Sequence, residues 1–152
     1  MFKLLIVEDD ASIREAFSII LKLNDTYDVT TADNGQVALD LCNENTYNII
    51  LLDIMMPIMD GPTFLKEYLK LYPNDVTKII IMSNLSSGSE LSILRDYGVD
   101  RFVLKSSLTP QKLMDAVAEV LQQRNKTKQQ ISHTNDDKSS TDENNEQSVG
   151  KD

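Results

Sequence analysis

This chain is short of several things, and each shortage excludes a class. It has one cysteine, Cys42, so no intrachain disulfide can form and a cysteine-rich zinc module is ruled out. On a helical face with Ala38 and Leu41 nearby, Cys42 reads as a small packed residue. Basic charge is scarce: 15 Lys and Arg stand against 24 Asp and Glu, a formal net charge of −9. A general nucleic-acid binder needs a basic face to displace counterions, and an anionic membrane surface asks for the same. The expectation is therefore no direct DNA binding. Glycine gives no phosphate-cradling loop, because Gly35, Gly61, Gly88 and Gly98 stand singly. Long apolar runs are missing too. The opening MFKLLIVEDD holds only a short one before three acids, too short for a signal peptide, and nothing approaches a membrane span. A reducing, cytoplasmic setting without membrane insertion is the simplest expectation.

Composition shifts near Arg124. In Asn125–Asp152 only Ile131 and Val149 are aliphatic. Such a segment cannot bury enough surface to offset its ordering entropy, so residues 125–152 are expected to form a disordered polar tail and residues 1–124 the folded domain. The single histidine, His133, lies in that tail without neighbours of ligand type and reads as a solvated bystander.

Within the first 124 residues, Leu4–Val7, Ile49–Leu52, Ile79–Met82 and Phe102–Leu104 are almost purely aliphatic, as strands buried on both faces are. Tyr27–Thr31 alternates and suits an edge strand. Helical spacing lies between them. Ile13, Phe17, Ile20 and Leu21 share one face, as do Leu65, Tyr68, Leu69 and Tyr72, and Leu113, Val117, Val120 and Leu121. Weaker helices fit Gln36–Asn43 and Glu90–Tyr97. Thr109 before Pro110 reads as an N-cap, and Ser12 with Glu15 has capping-box spacing. Strand and helix thus alternate five times. Right-handed crossovers then give an α/β fold, a doubly wound parallel sheet of five strands with five helices.

Ligands of such sheets bind beyond the carboxyl ends of the strands. There the sequence places Glu8, Asp9 and Asp10 after the first strand, Asp53 after the third, Ser83 after the fourth and Lys105 after the fifth. Two like charges about 5 Å apart repel by roughly 3 kcal/mol at an effective dielectric near 20. A hard divalent cation relieves that repulsion, and Mg²⁺ takes a few oxygen ligands while sharing substrate phosphate oxygens. Lys105 and Ser83 can hold phosphoryl oxygens, and an aspartate beside the metal can act as nucleophile. Asp10 has a plain alternative as the N-cap of the next helix.

The stretches LLIVEDD, LLDIMMPIMDG, IIIMSN and YGVDRFVLKS, with the D-x-x-M-P-x-M-D-G run from Asp53 to Gly61, resemble the receiver domain of two-component response regulators. The likeness covers residues 1–124. It implies a flavodoxin-like sheet of order 2-1-3-4-5. It implies Asp53 as the phospho-accepting residue, with Mg²⁺ organised by Glu8, Asp9, Asp53 and the carbonyl of Met55. It implies Lys105 and Ser83 on the phosphoryl group, with Ser83 and Phe102 as the switch pair. Asp10 falls outside the acidic pair. The implied partners are a sensor histidine kinase or phosphotransfer protein and a downstream protein effector, for a signalling switch rather than an enzyme acting on a separate substrate. No effector domain accompanies the receiver, so a stand-alone switch or a phosphate relay is expected.

Two positions depart from the family pattern. Ser106 stands where proline usually follows the lysine, and a cis bond without proline costs about 2.5–4 kcal/mol, so Lys105–Ser106 is expected to be trans, or cis under strain. Asn84 stands where a small residue usually follows the switch hydroxyl, and is expected to shield the phosphoryl group partly from water or partners. Rival readings fit less well. A haloacid-type phosphatase wants an aspartate two residues after the nucleophile, where Met55 stands. Flavin or nucleotide binding lacks its glycine-rich loop. A degenerate receiver that works without phosphorylation sits poorly with the full set of reacting groups.

Overall fold

The computed structural model describes residues 1–84 and 88–135. Strands β1 (Phe2–Val7), β2 (Tyr27–Ala32), β3 (Ile49–Asp53), β4 (Lys78–Ser83) and β5 (Arg101–Leu104) alternate with helices α1 (Ala11–Lys22), α2 (Gly35–Glu44), α3 (Gly61–Leu71), α4 (Ser89–Asp96) and α5 (Pro110–Asn135). A 3₁₀ turn, Lys105–Ser107, separates β5 from α5. All strands are parallel, in the order β2-β1-β3-β4-β5. This is the doubly wound, flavodoxin-like sheet expected from the sequence.

The near-continuous aliphatic strands follow from burial on both faces. Leu4, Ile6, Ile49, Leu51, Ile80 and Met82 face Leu21 of α1 and Leu113, Val117, Val120 and Leu121 of α5. Their alternates Leu5, Val7, Ile50, Leu52, Ile79 and Ile81 face Ala38 and Leu39 of α2, Phe64, Leu65 and Tyr68 of α3, and Leu91 and Leu94 of α4. Two apolar layers therefore clamp one sheet. Each fully buried aliphatic side chain contributes about 1.5–3 kcal/mol relative to exposure. The rim that carries the polar strand ends is thereby held on a rigid base.

Four of the five helices start with a side-chain cap at that rim, whereas α4 starts after Gly88 without one. Asp10 Oδ1 accepts from Ile13 N at 2.9 Å, Asn34 Oδ1 from Val37 N at 3.0 Å, Asp60 Oδ1 from Thr63 N at 2.8 Å and Thr109 Oγ1 from Lys112 N at 3.2 Å. The Ser12–Glu15 capping box is not used. Aspartate caps as well as serine does, and Asp10 comes first along the chain, so α1 is already under way at Ala11. The alternative reading of Asp10 is the one realised.

Helix α5 continues to Asn135, beyond the boundary expected at Arg124. Absence of apolar residues argues against independent folding but not against extension. A helix already nucleated by packing adds residues cheaply, and Gln, Lys and Arg are good helix formers. Residues 136–152 and the His133 side chain lie outside the described residues.

One glycine is demanded by close approach. A Cβ on Gly61 would lie 2.3 Å from the Asp53 carbonyl oxygen and 2.9 Å from Ile54 Cα. Gly61 N–H donates to the Ile54 carbonyl at 2.8 Å, closing the loop that follows β3. Within that loop Ile58 has φ of 70°, an uncommon conformation for a β-branched residue. The segment also accepts from α2, with Gly35 N–H bonded to the Met59 carbonyl at 3.0 Å.

Candidate functional site

The strand order 1-3-4-5 lays the polar strand ends side by side. Register sets Val7 beside Leu52, Asp53 beside Met82 and Ser83 beside Leu104, so Glu8, Asp53, Ser83 and Lys105 step across one edge. Glu8 is 1% exposed and Asp53 6%, whereas Asp9 is open to solvent. One carboxylate oxygen from each of Glu8, Asp9 and Asp53 lies within 4.8 Å of the others. Lys105 reaches back from β5 across the rim. Its Nζ is 2.6 Å from Glu8 Oε2 and 3.3 Å from Asp53 Oδ2.

The local backbone fixes these side chains. Glu8 N–H donates to the Ala32 carbonyl of β2 at 3.1 Å. Glu8 Oε1 accepts from Asp10 N at 3.1 Å, which turns the buried carboxylate into the site. Asp53 Oδ1 accepts from Ile54 N at 2.8 Å, leaving Oδ2 toward Lys105. Arg14, one turn into α1, donates from Nη1 to the carbonyls of Glu8 at 2.8 Å and Asp9 at 3.3 Å. Sequence reasoning missed Arg14. The one faint signal is a cation near a helix N-terminus, where the helix dipole disfavours it.

Burial holds the pKa of Glu8 and of Asp53 above the usual carboxylate range. Lys105 opposes the rise in both, and neighbouring carboxylates add to it. Burial acts on Lys105 in the opposite sense, but contacts with Glu8 and Asp53 outweigh it and raise the pKa, keeping the ammonium charged. One cation thus faces two buried carboxylates and a third nearby. Three hard oxygen donors with residual negative charge, one of them exposed, suit a small divalent cation such as Mg²⁺.

Beside the acidic trio a cleft of about 500 Å³ opens, lined by Asp9, Ile54, Met55, Met56, Pro57 and Asp60 among others. Met55 therefore borders the site, its side chain exposed. Ser83 is buried at the end of β4 and Asn84 is exposed just beyond it. Phe102 is half-buried on β5, with the Arg95 guanidinium carbon 5.5 Å from its ring centroid. The Lys105–Ser106 bond is trans, as no cis peptide occurs among the described residues. Among those residues no helix is long and apolar enough to cross a membrane.

A parallel sheet of order 2-1-3-4-5 with an acidic trio and a lysine at its carboxyl rim is the architecture of CheY-like receiver domains. The chain belongs to the response regulator receiver domain family of two-component systems, matched over residues 4–118. It is similar to a CheY-like receiver domain protein from Methanospirillum hungatei, at 27% identity and a TM-score of 0.76, covering 84% of this chain and 98% of that one. It is also similar to the chemotaxis response regulator CheY4 of Vibrio cholerae, at 28% identity and a TM-score of 0.70, covering 79% and 98%. Among curated proteins it is 40% identical over 91 residues to a transcriptional regulatory protein CpxR homolog of Haemophilus influenzae, covering 60% of this chain and 37% of that protein. With the response regulator ArlR of Staphylococcus saprophyticus it shares 32% identity over 105 residues, covering 69% and 46%. The chain spans less than half the length of these two curated relatives.

Proposed function

We propose that this receiver accepts a phosphoryl group on Asp53 from a phosphohistidine presented by a sensor histidine kinase or phosphotransfer protein. The observation that carries the reading is Lys105 Nζ set between Glu8 and Asp53, with Asp53 Oδ2 turned toward it. Asp53 attacks phosphorus through a carboxylate oxygen. The new O–P bond forms as the N–P bond breaks, and the donor imidazole leaves with the electron pair. Lys105 then moves from balancing carboxylates to pairing with a phosphoryl oxygen, and the Ser83 hydroxyl donates to another. Glu8, Asp9, Asp53 and the Met55 carbonyl are the groups that would hold Mg²⁺, which when bound neutralises charge on the transferring phosphoryl. Exposed Asn84 partly shields the product from water.

Phosphorylation replaces one carboxylate charge by about −1.5 to −2. Ser83 and Lys105 are drawn to it, and the half-buried Phe102 changes rotamer. The surface formed by α4, β5 and α5 then favours a protein partner, in a two-state switch biased by local electrostatics.

Incubation with a small phosphodonor, followed by intact mass, tests the reading. Parent chain with Mg²⁺ should gain one phosphoryl group, and parent with chelator or the Asp53→Asn variant should gain none. Timing the loss after donor removal should show faster decay in Asn84→Ala. Equal labelling of parent and Asp53→Asn would refute the acceptor assignment. No labelling with retained partner binding would favour a phosphorylation-independent receiver.

A further inference from the structure

We infer that Arg14 is a positioning residue for the cation site, holding the β1–α1 loop so that Glu8 and Asp9 present their carboxylates together. The inference rests on the proposed divalent-cation site and goes further, because Arg14 contributes no ligand atom. Its Nη1 donates to two successive carbonyls, those of Glu8 at 2.8 Å and Asp9 at 3.3 Å. Those two residues supply two of the three clustered carboxylates.

Several other polar groups of the loop have their own partners, and the guanidinium is the contact made to the Glu8 and Asp9 carbonyls. Glu8 N–H is held by Ala32 of β2. Asp10 N–H is held by the Glu8 side chain, and the Asp10 carboxylate caps α1. The Asp10 carbonyl accepts from Arg14 N, so the residue that clamps the loop is itself fixed in the first turn it follows. The peptide between Asp9 and Asp10 is held at its N–H by Glu8 Oε1, and the Arg14 side chain holds its carbonyl end. Asp9 is the exposed member of the trio and the one whose side chain has least packing to orient it. A planar guanidinium suits the task because it can serve two carbonyls from one nitrogen, and its charge is permanent.

Electrostatics and positioning predict opposite signs, which makes the inference testable. Arg14 is a cation next to an acidic cluster. If it acted through charge alone, removing it would tighten Mg²⁺ binding. If it acts by holding the loop, removal weakens binding, and loss of an outer-shell partner of a metal site typically costs about 10–100-fold in affinity.

Mg²⁺ binding to the full chain is measured by calorimetry for the parent, Arg14→Ala and Arg14→Lys. The expected result is about tenfold weaker binding in Arg14→Ala, with part of the loss recovered in Arg14→Lys, which keeps the charge and a donor. The Mg²⁺ concentration for half-maximal phosphodonor labelling should rise in parallel, while the rate at saturating Mg²⁺ stays near that of the parent. A merely structural role would not produce that split. Unchanged or tighter Mg²⁺ binding in Arg14→Ala overturns the inference. A parent chain that fails to bind Mg²⁺ overturns the cation site itself, which separates the two failures. Should Arg14→Ala lose cooperative melting, Arg14→Gln carries the same comparison.

Discussion

Lys105 balances two buried carboxylates with one charge, and the remainder is a cost to the fold. With their oxygens within 4.8 Å, like-charged carboxylates repel by about 3 kcal/mol at an effective dielectric near 20. Lys105 offsets only part of this. The pKa of Asp53 is raised in the folded chain, so its charged form destabilises the fold above the unfolded pKa. That penalty fades as pH falls through the raised folded value. Without added Mg²⁺, Asp53→Asn should therefore be more stable than the parent at pH 7, and the gap should close on acidification. Urea denaturation across pH reads this directly, and a variant less stable than the parent at neutral pH contradicts it. At this scale, Glu8, Asp53, Ser83 and Lys105 are legible because each follows an aliphatic run, and Asp9 because it adjoins Glu8. Arg14 and Arg95 are not, because their contacts depend on where one turn of helix points. A carbonyl clamp or a guanidinium over the Phe102 ring leaves no spacing pattern in the chain.

Elements end where polar side chains satisfy backbone groups, and the far rim of the sheet shows this as clearly as the site does. In the connection from α3 to β4, Tyr68 Oη donates to Asp75 Oδ2 at 2.5 Å. Thr77 N donates to Asp75 Oδ1 at 2.9 Å, and Thr77 Oγ1 donates to the Tyr47 carbonyl at 2.7 Å. Burial by itself would raise the Asp75 pKa, but the Tyr68 hydroxyl and the Thr77 donors outweigh it and lower it below the usual 3.8. A carboxylate with a depressed folded pKa contributes stability above the unfolded value, lost as pH falls through the folded one. Asp75→Ala should cost about 1 kcal/mol near neutrality, the worth of ordinary hydrogen bonds on an exposed residue. The difference from the parent should vanish in acid below the usual aspartate pKa. Thermal melts at pH 7 and in acid decide it, and a gap of equal size at both would show that the charged form is not what matters. Strand positions were readable to within a residue or two: β1, β3 and β4 are buried on both faces, β2 alternates, and β5, expected to be buried on both faces, is instead a half-buried edge strand. Helix ends were less so: a serine and a glutamate at capping distance lost to Asp10, and α5 outran its apolar stripe.

On the scale of the whole domain, the parallel sheet is the reason the chemistry can be spread over four strands. Two apolar layers fix the strand ends, and residues distant in sequence then meet at one rim with no contribution from loop order. The alternation of four aliphatic runs and one alternating strand with five helical stretches made this architecture legible, since right-handed crossovers leave few topologies. What the rim does was legible only in part, because a fold does not fix function and the roles rest on side-chain placement. Phosphoryl transfer to one carboxylate, Asp53, is the central proposal. The most direct measurement is to label the chain with phosphodonor and Mg²⁺, reduce the acyl phosphate with borohydride, and sequence the peptides by mass spectrometry. The account predicts homoserine at position 53 and at no other aspartate. Reduction at Asp9, Asp10 or Asp60 with Asp53 intact would contradict it.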